Sequence, residues 1–461
     1  MSQRRRVVVA GSGVAGAAAT RALLARGVEV VLVDRVASQA TAALGREGAE
    51  VVIADQPPPG LFDGADELVV SPGFPPHHPL PRAAAAAGLE VYSEPELAWR
   101  LRGPRAAPWL AVTGTNGKTT TVSMLAAMLT AAGLRTAALG NIGEPLVFAA
   151  DDPGYDALAV ELSSQQLHWS HRLAPTYAAL LNLADDHLEW HGDFTAYAEA
   201  KRRVWRAASG PVDGAVAVGN LDDPLVAAAL AKLPGRVVGF TLSPPAPGQL
   251  GVVDGSLVDA AFADPPVPLV EVAAVRPAGR HHVANALAAA ALARAHGVPP
   301  EAVAQGLRDY RPQPHRATPV ATVDGVAYVD DSKATNPHAA LASLTAYPRV
   351  VWIAGGQLKG VEVDDLVARV ADRLVGVVLL GVDRARLARA LRRHAPRVPV
   401  VDVDRTDDGV MGHVVAAAAE LARPGDTVLL APAAASRDMF TSYAHRGEAF
   451  RAAVLDLAGR T

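Results

Sequence analysis

Short apolar runs recur along this chain, and alanine-rich stretches of helical character separate most of them. The runs consist mainly of consecutive valine, leucine, isoleucine and alanine residues: RVVVA, VEVVLVD, AEVVIA, WLAVTG, DALAVEL, GAVAVGN, RVVWIAGG, VGVVLLG and DTVLLAP. Continuous runs of this kind are typical of strands that are buried on both faces of a parallel sheet. Because parallel strands need helical crossovers between them, the alternation predicts an α/β chain with Rossmann-like parallel sheets.

Two breaks rich in proline or arginine divide the chain of 461 residues. LRGPRAAPW at 101–109 precedes a new strand, and RPQPHRATP at 311–319 follows a helical stretch. Such segments favour domain boundaries, so we expect three α/β domains at about 1–104, 105–312 and 313–461. The stretch LSPPAPGQLGVVDGS at 242–256 is interpreted as a surface excursion inside the middle domain.

Composition excludes several classes of function. The net charge of -4 gives no basic bias for nucleic-acid binding. There is no cysteine, which excludes disulfides and thiolate metal sites and fits a reducing compartment. The basic N-terminus leads into an apolar run that glycines interrupt at once, and no apolar stretch approaches the length of a membrane span. We therefore expect a cytoplasmic protein without membrane insertion.

A glycine-rich turn follows the first predicted strand. VVVAGSGVAG places Gly11, Gly13 and Gly16 in the spacing G-x-G-x-x-G, and the next predicted strand ends in Asp34. Such a turn lets the backbone approach a diphosphate closely and directs a helix N-terminus at it. The motif predicts a site for a diphosphate-linked nucleotide, with NAD as one candidate among several. A tight turn that binds no ligand is the alternative.

A second phosphate-binding motif follows the strand WLAVTG. TGTNGKTT at 113–120 departs from the pattern G-x-x-x-x-G-K-[ST], because Val112 stands where the first glycine is expected. Backbone N–H groups and the dipole of the following helix would meet the phosphates there, while Lys118 reaches their outer oxygens. Thr119 could ligate magnesium. The alternative is a glycine-rich helix start without a nucleotide.

Three further polar groups stand near the ends of predicted elements. Glu161 ends the run DALAVEL, His187 follows the run in LLNLADDHLEWHG, and Lys201 lies on the predicted helix YAEAKRRVW. A carboxylate at the carboxyl edge of a sheet beside a phosphate loop is the usual second magnesium ligand. His187 fits either a capping histidine or a ligand of a second metal ion.

Taken together, these motifs resemble the ATP-dependent Mur ligases over essentially the whole chain. The matching segments occur in the family's order: TGTNGKTTT, GNIGEP, ELSSQQL, NLADDHLEWHG, YAEAK, GRHHVANALAA, HR, DDSKATNP and AGGQLKG. SKATN followed by GGQLKG is similar to the member that adds D-glutamate. The resemblance implies that ATP converts a carboxylate into an acyl phosphate, which an amine then attacks. It also implies that the chain binds ATP, two magnesium ions, UDP-N-acetylmuramoyl-L-alanine and D-glutamate. We expect the chain to be a monomer.

The resemblance implies roles for individual residues in this chain. The ATP contacts would be Gly114, Thr115, Asn116, Gly117, Lys118, Thr119, Thr120, Asn285, Arg316 and Asp331. The metal-side groups would be Thr119, Glu161, His187 and Lys201, with Lys201 carbamylated; an ordinary surface lysine is the alternative for Lys201. Contacts to the UDP substrate would be Val14, Ala15, Asp34, Arg35, Ser71 and Gly73, with Asn141, Ser163 and Gln166 at its muramoyl-alanine end.

The amino-acid pocket implied by the resemblance contains Lys333, Thr335, Lys359 and Ser436. Two lysines suit a substrate with two carboxylates. The segment APAAASRDMFTSYAHRG departs from the family pattern, since Arg437 and Tyr443 stand where leucine and phenylalanine are expected. Arg437 would add a carboxylate contact or alter the choice of amino acid; the alternative is that its side chain points outward into solvent.

Three other functions fit the residues less well. A folylpolyglutamate-type ligase would lack the N-terminal nucleotide-sugar module. An NAD(P)-dependent oxidoreductase rests on G-x-G-x-x-G alone and leaves the loop at 113–120 unexplained. A non-catalytic ligase-like subunit does not need the intact set of Lys118, Glu161, His187 and Lys201.

Overall fold

The structure is a computed structural model that describes residues 5–210, 212–405, 407 and 409–460. The chain divides into two compact units. The first contains the residues up to Ala274 together with Ala284–Tyr310, and the second contains Val275–Val283 together with the residues from Arg311 onward. Three sheets, two in the first unit and one in the second, organise the described residues.

The first sheet has five parallel strands in the order β3-β2-β1-β4-β5. Its strands are β1 Arg6–Ala10, β2 Glu29–Asp34, β3 Glu50–Ile53, β4 Glu67–Val70 and β5 Glu90–Ser93. Its helices are α1 Val14–Leu24, α2 Gln39–Arg46, α3 Pro79–Ala86 and α4 Glu94–Leu101. The strand order reverses between β1 and β4, and a crevice for a ligand forms at such a switch point, beyond the carboxyl ends of the strands.

The second sheet has nine strands in the order β14-β13-β12-β11-β10-β9-β6-β8-β7. Its strands are β6 Trp109–Thr113, β7 Thr136–Gly140, β8 Ala157–Glu161, β9 Tyr177–Leu180, β10 Val216–Asn220, β11 Arg236–Phe240, β12 Gln249–Val253, β13 Ser256–Asp259 and β14 Val267–Glu271. Its helices are α5 Lys118–Ala131, α6 Leu146–Ala149, α7 Ser164–His168, α8 Leu188–His191, α9 Phe194–Arg202, α10 Pro224–Leu230, α11 Arg280–Ala295 and α12 Pro300–Asp309. Strands β6 to β12 pair in parallel, and β13 and β14 add an antiparallel edge.

The interpretation of 242–256 as a surface excursion is wrong. Strand β12 lies inside this stretch and pairs with β11 on one side and β13 on the other. Leu250 and Leu257 of β12 and β13 are fully buried. The proline and glycine residues before the strand made this stretch resemble a loop. A short strand that pairs with two neighbours needs only a few apolar residues of its own, so its pattern is weak in the sequence.

The third sheet has six strands in the order β15-β16-β20-β17-β18-β19, antiparallel between β15 and β16 and parallel elsewhere. Its strands are β15 Thr318–Val323, β16 Val326–Asp330, β17 Val350–Gly355, β18 Leu374–Leu380, β19 Val400–Asp402 and β20 Thr427–Leu430. Its helices are α13 Pro337–Leu344, α14 Asp364–Val370, α15 Arg384–His394, α16 Val410–Leu421 and α17 Tyr443–Arg460. Separate apolar clusters cover its two faces.

The α/β class and the parallel sheets are confirmed. All the quoted apolar runs contain strands, and the central strands β6, β8, β17 and β20 are buried at every residue. Their continuous apolar character follows from burial on both faces.

Candidate active site

The loop between β6 and α5 adopts a backbone conformation that requires glycine at two positions. Gly114 has φ +157° and Gly117 has φ +86°, a left-handed conformation at the N-cap of α5. A Cβ atom added to Gly117 would lie 2.3 Å from Oδ1 of Asn285, a buried residue of α11. The loop therefore tolerates only glycine at this point, and it exposes backbone N–H groups at the start of a helix of 14 residues.

Two lysines converge on one carbonyl oxygen of this loop. Nζ of Lys118 donates hydrogen bonds of 2.9 Å to the carbonyl oxygens of Gly114 and Thr115. Nζ of Lys201, from α9, donates to the same Gly114 oxygen at 2.7 Å. Lys201 is only 2% exposed. Burial, and then the positive charge of Lys118, lower the pKa of Lys201 well below its ordinary value, which favours the neutral amine.

A carboxylate stands beside the loop at the carboxyl end of β8. Oε2 of Glu161 accepts a hydrogen bond of 2.8 Å from Oγ1 of Thr119, and Oε1 accepts one of 2.7 Å from Nδ2 of Asn141. Glu161 is 1% exposed. Magnesium prefers hard oxygen donors such as a carboxylate and a hydroxyl. Glu161 and Thr119 therefore fit the magnesium ion that the sequence predicts at this loop.

His187 borders the same region. It has φ +53° at the start of α8, and its Nε2 is 3.8 Å from Oδ2 of Asp186. Burial lowers the pKa of His187, although Asp186 opposes the shift. A neutral imidazole is the form that ligates metals. No cluster of three or more His, Asp or Glu side chains able to hold a metal occurs within the described ranges, so ATP phosphates and water would have to complete any magnesium shell.

A cavity of about 320 Å³ joins these groups. Lys118, Asn141, Asp186, His187 and Lys201 line it. Residues that the sequence prediction missed also line it: Pro72, Ser164, Gln165 and Tyr197. Oη of Tyr197 is 2.8 Å from Oγ1 of Thr115. Tyr197 precedes Lys201 by one helical turn in YAEAK, and this spacing could have identified it from the sequence.

The first glycine motif forms a close-packed turn. Gly11 has φ +89°, and a Cβ atom on Gly16 would lie 1.8 Å from the Gly11 carbonyl oxygen. Oγ of Ser71, at the end of β4, would be 2.9 Å from a Cβ atom on Gly11. Asp34 accepts hydrogen bonds of 2.7 and 2.6 Å from N and Oγ of Ser12. Burial alone would raise the pKa of Asp34, but these bonds lower it, so Asp34 stays ionised and holds the turn.

A second cavity of about 440 Å³ opens beside this turn. Val14, Ala15, Ser71, Asn141 and Gln166 line it, whereas Gly73 lines the first cavity. Arg35 is exposed. Val14 is 76% exposed, which is unusual for a valine at the start of a helix.

Ser163 and Gln166 have a structural role of their own. Oγ of Ser163 accepts from the backbone N–H of Gln166, and the Gln166 side chain accepts from the backbone N–H of Ser163 at 2.8 Å. This capping box begins helix α7 and explains both residue types without a ligand. Gln166 nevertheless lines the second cavity.

In the second unit, the predicted amino-acid residues lie on loops after β16, β17 and β20. Nζ of Lys333 lies 3.9 Å from the centre of the Tyr443 ring, which is a cation–π contact. The backbone N–H of Thr335 donates to the Lys333 carbonyl oxygen at 2.8 Å. Ser436 is buried, whereas Arg437 and Lys359 are exposed.

Arg316 and Asp331 lie in the same unit, near the beginning of the third sheet. Burial raises the pKa of Asp331 to about 6. Oδ1 of Asp331 accepts a hydrogen bond of 3.3 Å from the backbone N–H of Ala317. Arg316 is half-buried.

A glycine-rich loop at a helix N-terminus, beside a carboxylate and two lysines, is an arrangement suited to the phosphates of a nucleotide. Three family models match the chain: the Mur ligase MurD-like N-terminal domain at 5–93, the Mur ligase middle domain at 112–293, and the Mur ligase glutamate ligase domain at 315–434. The chain belongs to the Mur ligase family.

Full-length relatives are named UDP-N-acetylmuramoylalanine–D-glutamate ligase. The one from Thermobifida fusca is 55% identical over 470 aligned positions, which cover 99% of both chains. The one from Streptomyces avermitilis is 55% identical over 468 positions, again covering 99% of both. A crystal structure of MurF from Acinetobacter baumannii superposes with a TM-score of 0.62 at 18% identity, covering 98% of this chain and 93% of that one. This last likeness concerns the fold alone. No helix among the described residues is long and apolar enough to cross a membrane.

Proposed function

We propose that this chain joins D-glutamate to UDP-N-acetylmuramoyl-L-alanine with ATP as the energy source, in the synthesis of the peptidoglycan precursor. The observation that carries this proposal is the 55% identity with ligases of that name over 99% of each chain. The two lysines, Glu161 and Thr119 around one loop supply the chemistry that such a ligase needs.

The physical problem of this reaction is charge repulsion, because an anionic carboxylate must attack the γ-phosphate of ATP. A carboxylate oxygen bonds to the γ-phosphorus and ADP leaves, which gives an acyl phosphate. The glutamate nitrogen then attacks the acyl carbon, and phosphate leaves with the electrons of the broken C–O bond, while the nitrogen gives up a proton. Each step is fastest when fixed positive charges and N–H dipoles face the developing negative charge.

The phosphate loop supplies those charges. Lys118 is held by the Gly114 and Thr115 carbonyl oxygens, within reach of any phosphate on the loop. The backbone N–H groups at the start of α5 face the same place, and Thr119 and Glu161 would hold magnesium there. The ion neutralises phosphate charge when bound. Asn116, Thr120 and Asn285 would shape the nucleotide site, and Arg316 and Asp331 keep the nucleotide roles that the resemblance implies.

Carbamylation of Lys201 is part of this proposal, as are His187 and a second magnesium ion. A carbamate forms when a neutral amine attacks CO2 and loses a proton, so the low pKa of the buried Lys201 favours it. The product is an anion in place of the neutral amine. Beside Lys118 and a metal ion such an anion is stabilised, whereas an ammonium group is not.

The second cavity is the proposed site of the UDP substrate. The glycine turn with Val14, Ala15 and Ser71 would hold the diphosphate and base, together with Asp34, Arg35 and Gly73. Asn141, Ser163 and Gln166 would contact the muramoyl-alanine end. Lys333, Thr335, Lys359, Ser436, Arg437 and Tyr443 would form the pocket for D-glutamate. We propose that the enzyme acts as a monomer in the cytoplasm.

One assay tests the reaction. ADP release is measured with UDP-N-acetylmuramoyl-L-alanine, ATP, magnesium and either D- or L-glutamate, and each component is omitted in turn. We expect release that depends on all components and prefers the D-enantiomer. The matched variant Lys118→Ala should lose turnover by roughly 10²-fold or more, since it removes a charge aimed at the transition state. ADP release in the absence of the muramoyl substrate would contradict the proposal. Faster ADP release with another amino acid than with D-glutamate would also contradict it.

A further inference from the structure

Arg446 is a large cation that is buried completely in the second unit. It lies in the first turn of α17 and is 1% exposed. Its guanidinium donates to Oγ of Ser332 at 3.0 Å and to the Ser332 carbonyl oxygen at 2.9 Å. It also donates to the carbonyl oxygens of Ala434 at 3.2 Å and Gly355 at 3.4 Å.

These contacts join three loops at the carboxyl edge of the third sheet. Ser332 follows β16, Gly355 ends β17, and Ala434 follows β20. Each loop carries residues of the proposed amino-acid pocket: Ser332 directly precedes Lys333, and Ala434 stands two residues before Ser436. The loop after Gly355 leads to Lys359. One side chain therefore fixes the relative positions of all three loops.

The same network of hydrogen bonds also reaches the start of α17, where Tyr443 is a further residue of the proposed pocket. Oγ of Ser332 donates a hydrogen bond of 2.8 Å to the carbonyl oxygen of Tyr443, whose ring contacts Lys333. The loops after β17 and β20 are also bonded directly, by two hydrogen bonds of 2.8 and 2.9 Å between the backbones of Gln357 and Ala435. A shift of Arg446 would be transmitted to every segment that carries a proposed glutamate contact.

Among the described residues, no carboxylate contacts the guanidinium of Arg446. Its hydrogen-bond acceptors are neutral oxygens, and within the described part of the chain no Asp or Glu oxygen forms an ion pair with it. By contrast, Nε of the half-buried Arg294 lies 2.7 Å from Oδ2 of Asp259. Burial lowers the pKa of Arg446 to about 10, and only the more distant Asp438 and Asp330 act against this. An unpaired buried cation is costly for folding, and an anionic ligand nearby would offset that cost.

We propose that Arg446 is a positioning residue of the amino-acid pocket, which holds its loops in place and adds the positive charge that selects an amino acid with two carboxylates. It acts through the loops and through its field, because the guanidinium is buried beneath the pocket backbone. This proposal rests on the proposed function, which supplies the identity of the amino acid.

The test compares the kinetics of three variants with the wild-type enzyme. Arg446→Met removes the charge and the donors, Arg446→Lys keeps the charge, and Ser332→Ala loosens the loops but leaves the cation. Arg451→Met is the control, since Arg451 lies five residues further along α17 with its side chain 60% exposed. For Arg446→Met we expect the KM for D-glutamate to rise roughly tenfold or more, with the KM values for ATP and the UDP substrate unchanged. Arg446→Lys should recover part of the loss, and Arg451→Met should match the wild type.

A second readout separates the charge from loop geometry. Glutarate, a dianion, and glutaramate, its monoanionic amide, are compared as inhibitors competing with D-glutamate. The preference of the wild type for glutarate should shrink severalfold in Arg446→Met and persist in Arg446→Lys and Ser332→Ala. If Arg446→Met is unfolded by circular dichroism, Arg446→Gln takes its place, because glutamine also removes the charge but keeps an N–H donor. A full preference for glutarate in that variant would contradict the charge role.

Two outcomes are distinguishable. Wild-type enzyme that releases no ADP with D-glutamate would overturn the proposed function. The role of Arg446 in charge selection would be overturned if an active Arg446→Met variant kept the full preference for glutarate. Equal weakening of inhibition by glutarate and glutaramate in that variant would overturn it as well. Neither result would affect the proposed ligase activity. Loss of that preference in Arg446→Lys together with an unchanged KM for D-glutamate would also contradict the proposal.

Discussion

At the scale of single residues, Lys201 shows how burial changes chemistry. An amine with 2% exposure beside a second lysine is most stable without its proton. The sequence left an ordinary surface lysine as the alternative, and the burial of Lys201 argues against it. The neutral amine is also the form that takes up CO2, so the burial of Lys201 and its proposed carbamylation have one physical cause.

We expect Lys201→Ala to be nearly inactive and to be partly restored by acetate or formate. A small carboxylate can occupy the space of the missing carbamate and supply its negative charge. Turnover is measured over a range of formate concentrations, with chloride as the salt control. Lys232→Ala, a change at an exposed lysine, serves as the matched variant. Activity that no concentration of either carboxylate restores would remove the proposed role.

Arg437 is one of two residues, with Tyr443, at which this chain departs from the expected family pattern. It is exposed and directly follows the buried Ser436. A guanidinium pairs with a carboxylate through two parallel hydrogen bonds and fixes its orientation better than an ammonium group. We therefore expect Arg437→Leu to raise the KM for D-glutamate about tenfold, which is ~1.4 kcal/mol of lost binding, with the KM for ATP unchanged. Unchanged glutamate dependence and enantiomer preference would mean that the side chain serves only the surface.

At the scale of elements, Glu94 joins helix α4 to helix α6. Its Oε1 accepts a hydrogen bond of 2.8 Å from the backbone N–H of Val147, and the side chain is 2% exposed. Burial raises the pKa of Glu94 from 4.5 to about 7, although the N–H groups of α6 oppose the shift. The folded chain therefore keeps a proton here over a range of pH in which the unfolded chain has lost it.

The sign of the effect follows from this difference. Stability from the protonated Glu94 is fully present below pH 4.5 and is lost as the pH rises to about 7. The shift corresponds to about 3 kcal/mol at most. Glutamine has no proton to lose, so Glu94→Gln should be more stable relative to the wild type at pH 8 than at pH 5.

The measurement is the free energy of unfolding in urea at both pH values. Glu301→Gln is the control, because Glu301 is exposed in the first turn of α12. An equal difference between Glu94→Gln and the wild type at pH 5 and pH 8 would show that Glu94 is ionised in the folded chain throughout.

At the scale of the whole molecule, the two compact units carry different parts of the proposed reaction. Both cavities lie in the first unit, and the proposed glutamate residues lie in the second. We expect a fragment of residues 1–310 to bind UDP-N-acetylmuramoyl-L-alanine with nearly the affinity of the full chain and to release no ADP with glutamate. The segment Val275–Val283 is kept to preserve helix α11, although it belongs to the second unit.

Calorimetry measures the affinity of the fragment, after circular dichroism has shown that it is folded. Ser71→Asp in the same fragment is the control, since a carboxylate at the glycine turn should repel the diphosphate. A folded fragment that fails to bind the UDP substrate would show that the second unit contributes to this site.

The sequence by itself determined the elements and the loops whose character is local. Short continuous apolar runs are typical of buried strands, so β1, β6, β17 and β20 were predicted. Glycine spacing predicted the turns at Gly11 and Gly117, because glycine adopts positive φ at little cost. The order of motifs along the chain also predicted the family, since spacing and residue type are preserved in the sequence itself.

Only the tertiary structure decided which distant groups meet and how far water is excluded from them. Thr119 and Glu161 are 42 positions apart, and Lys201 reaches Gly114 across 87 positions. The strand β12 depends on pairing with its neighbours, and the depressed pKa of Lys201 depends on its burial. Arg446 gave no signal in the sequence, because an arginine on a helix usually keeps its charge in water. Its unpaired charge under three loops exists only because the strand ends of one sheet meet at that edge.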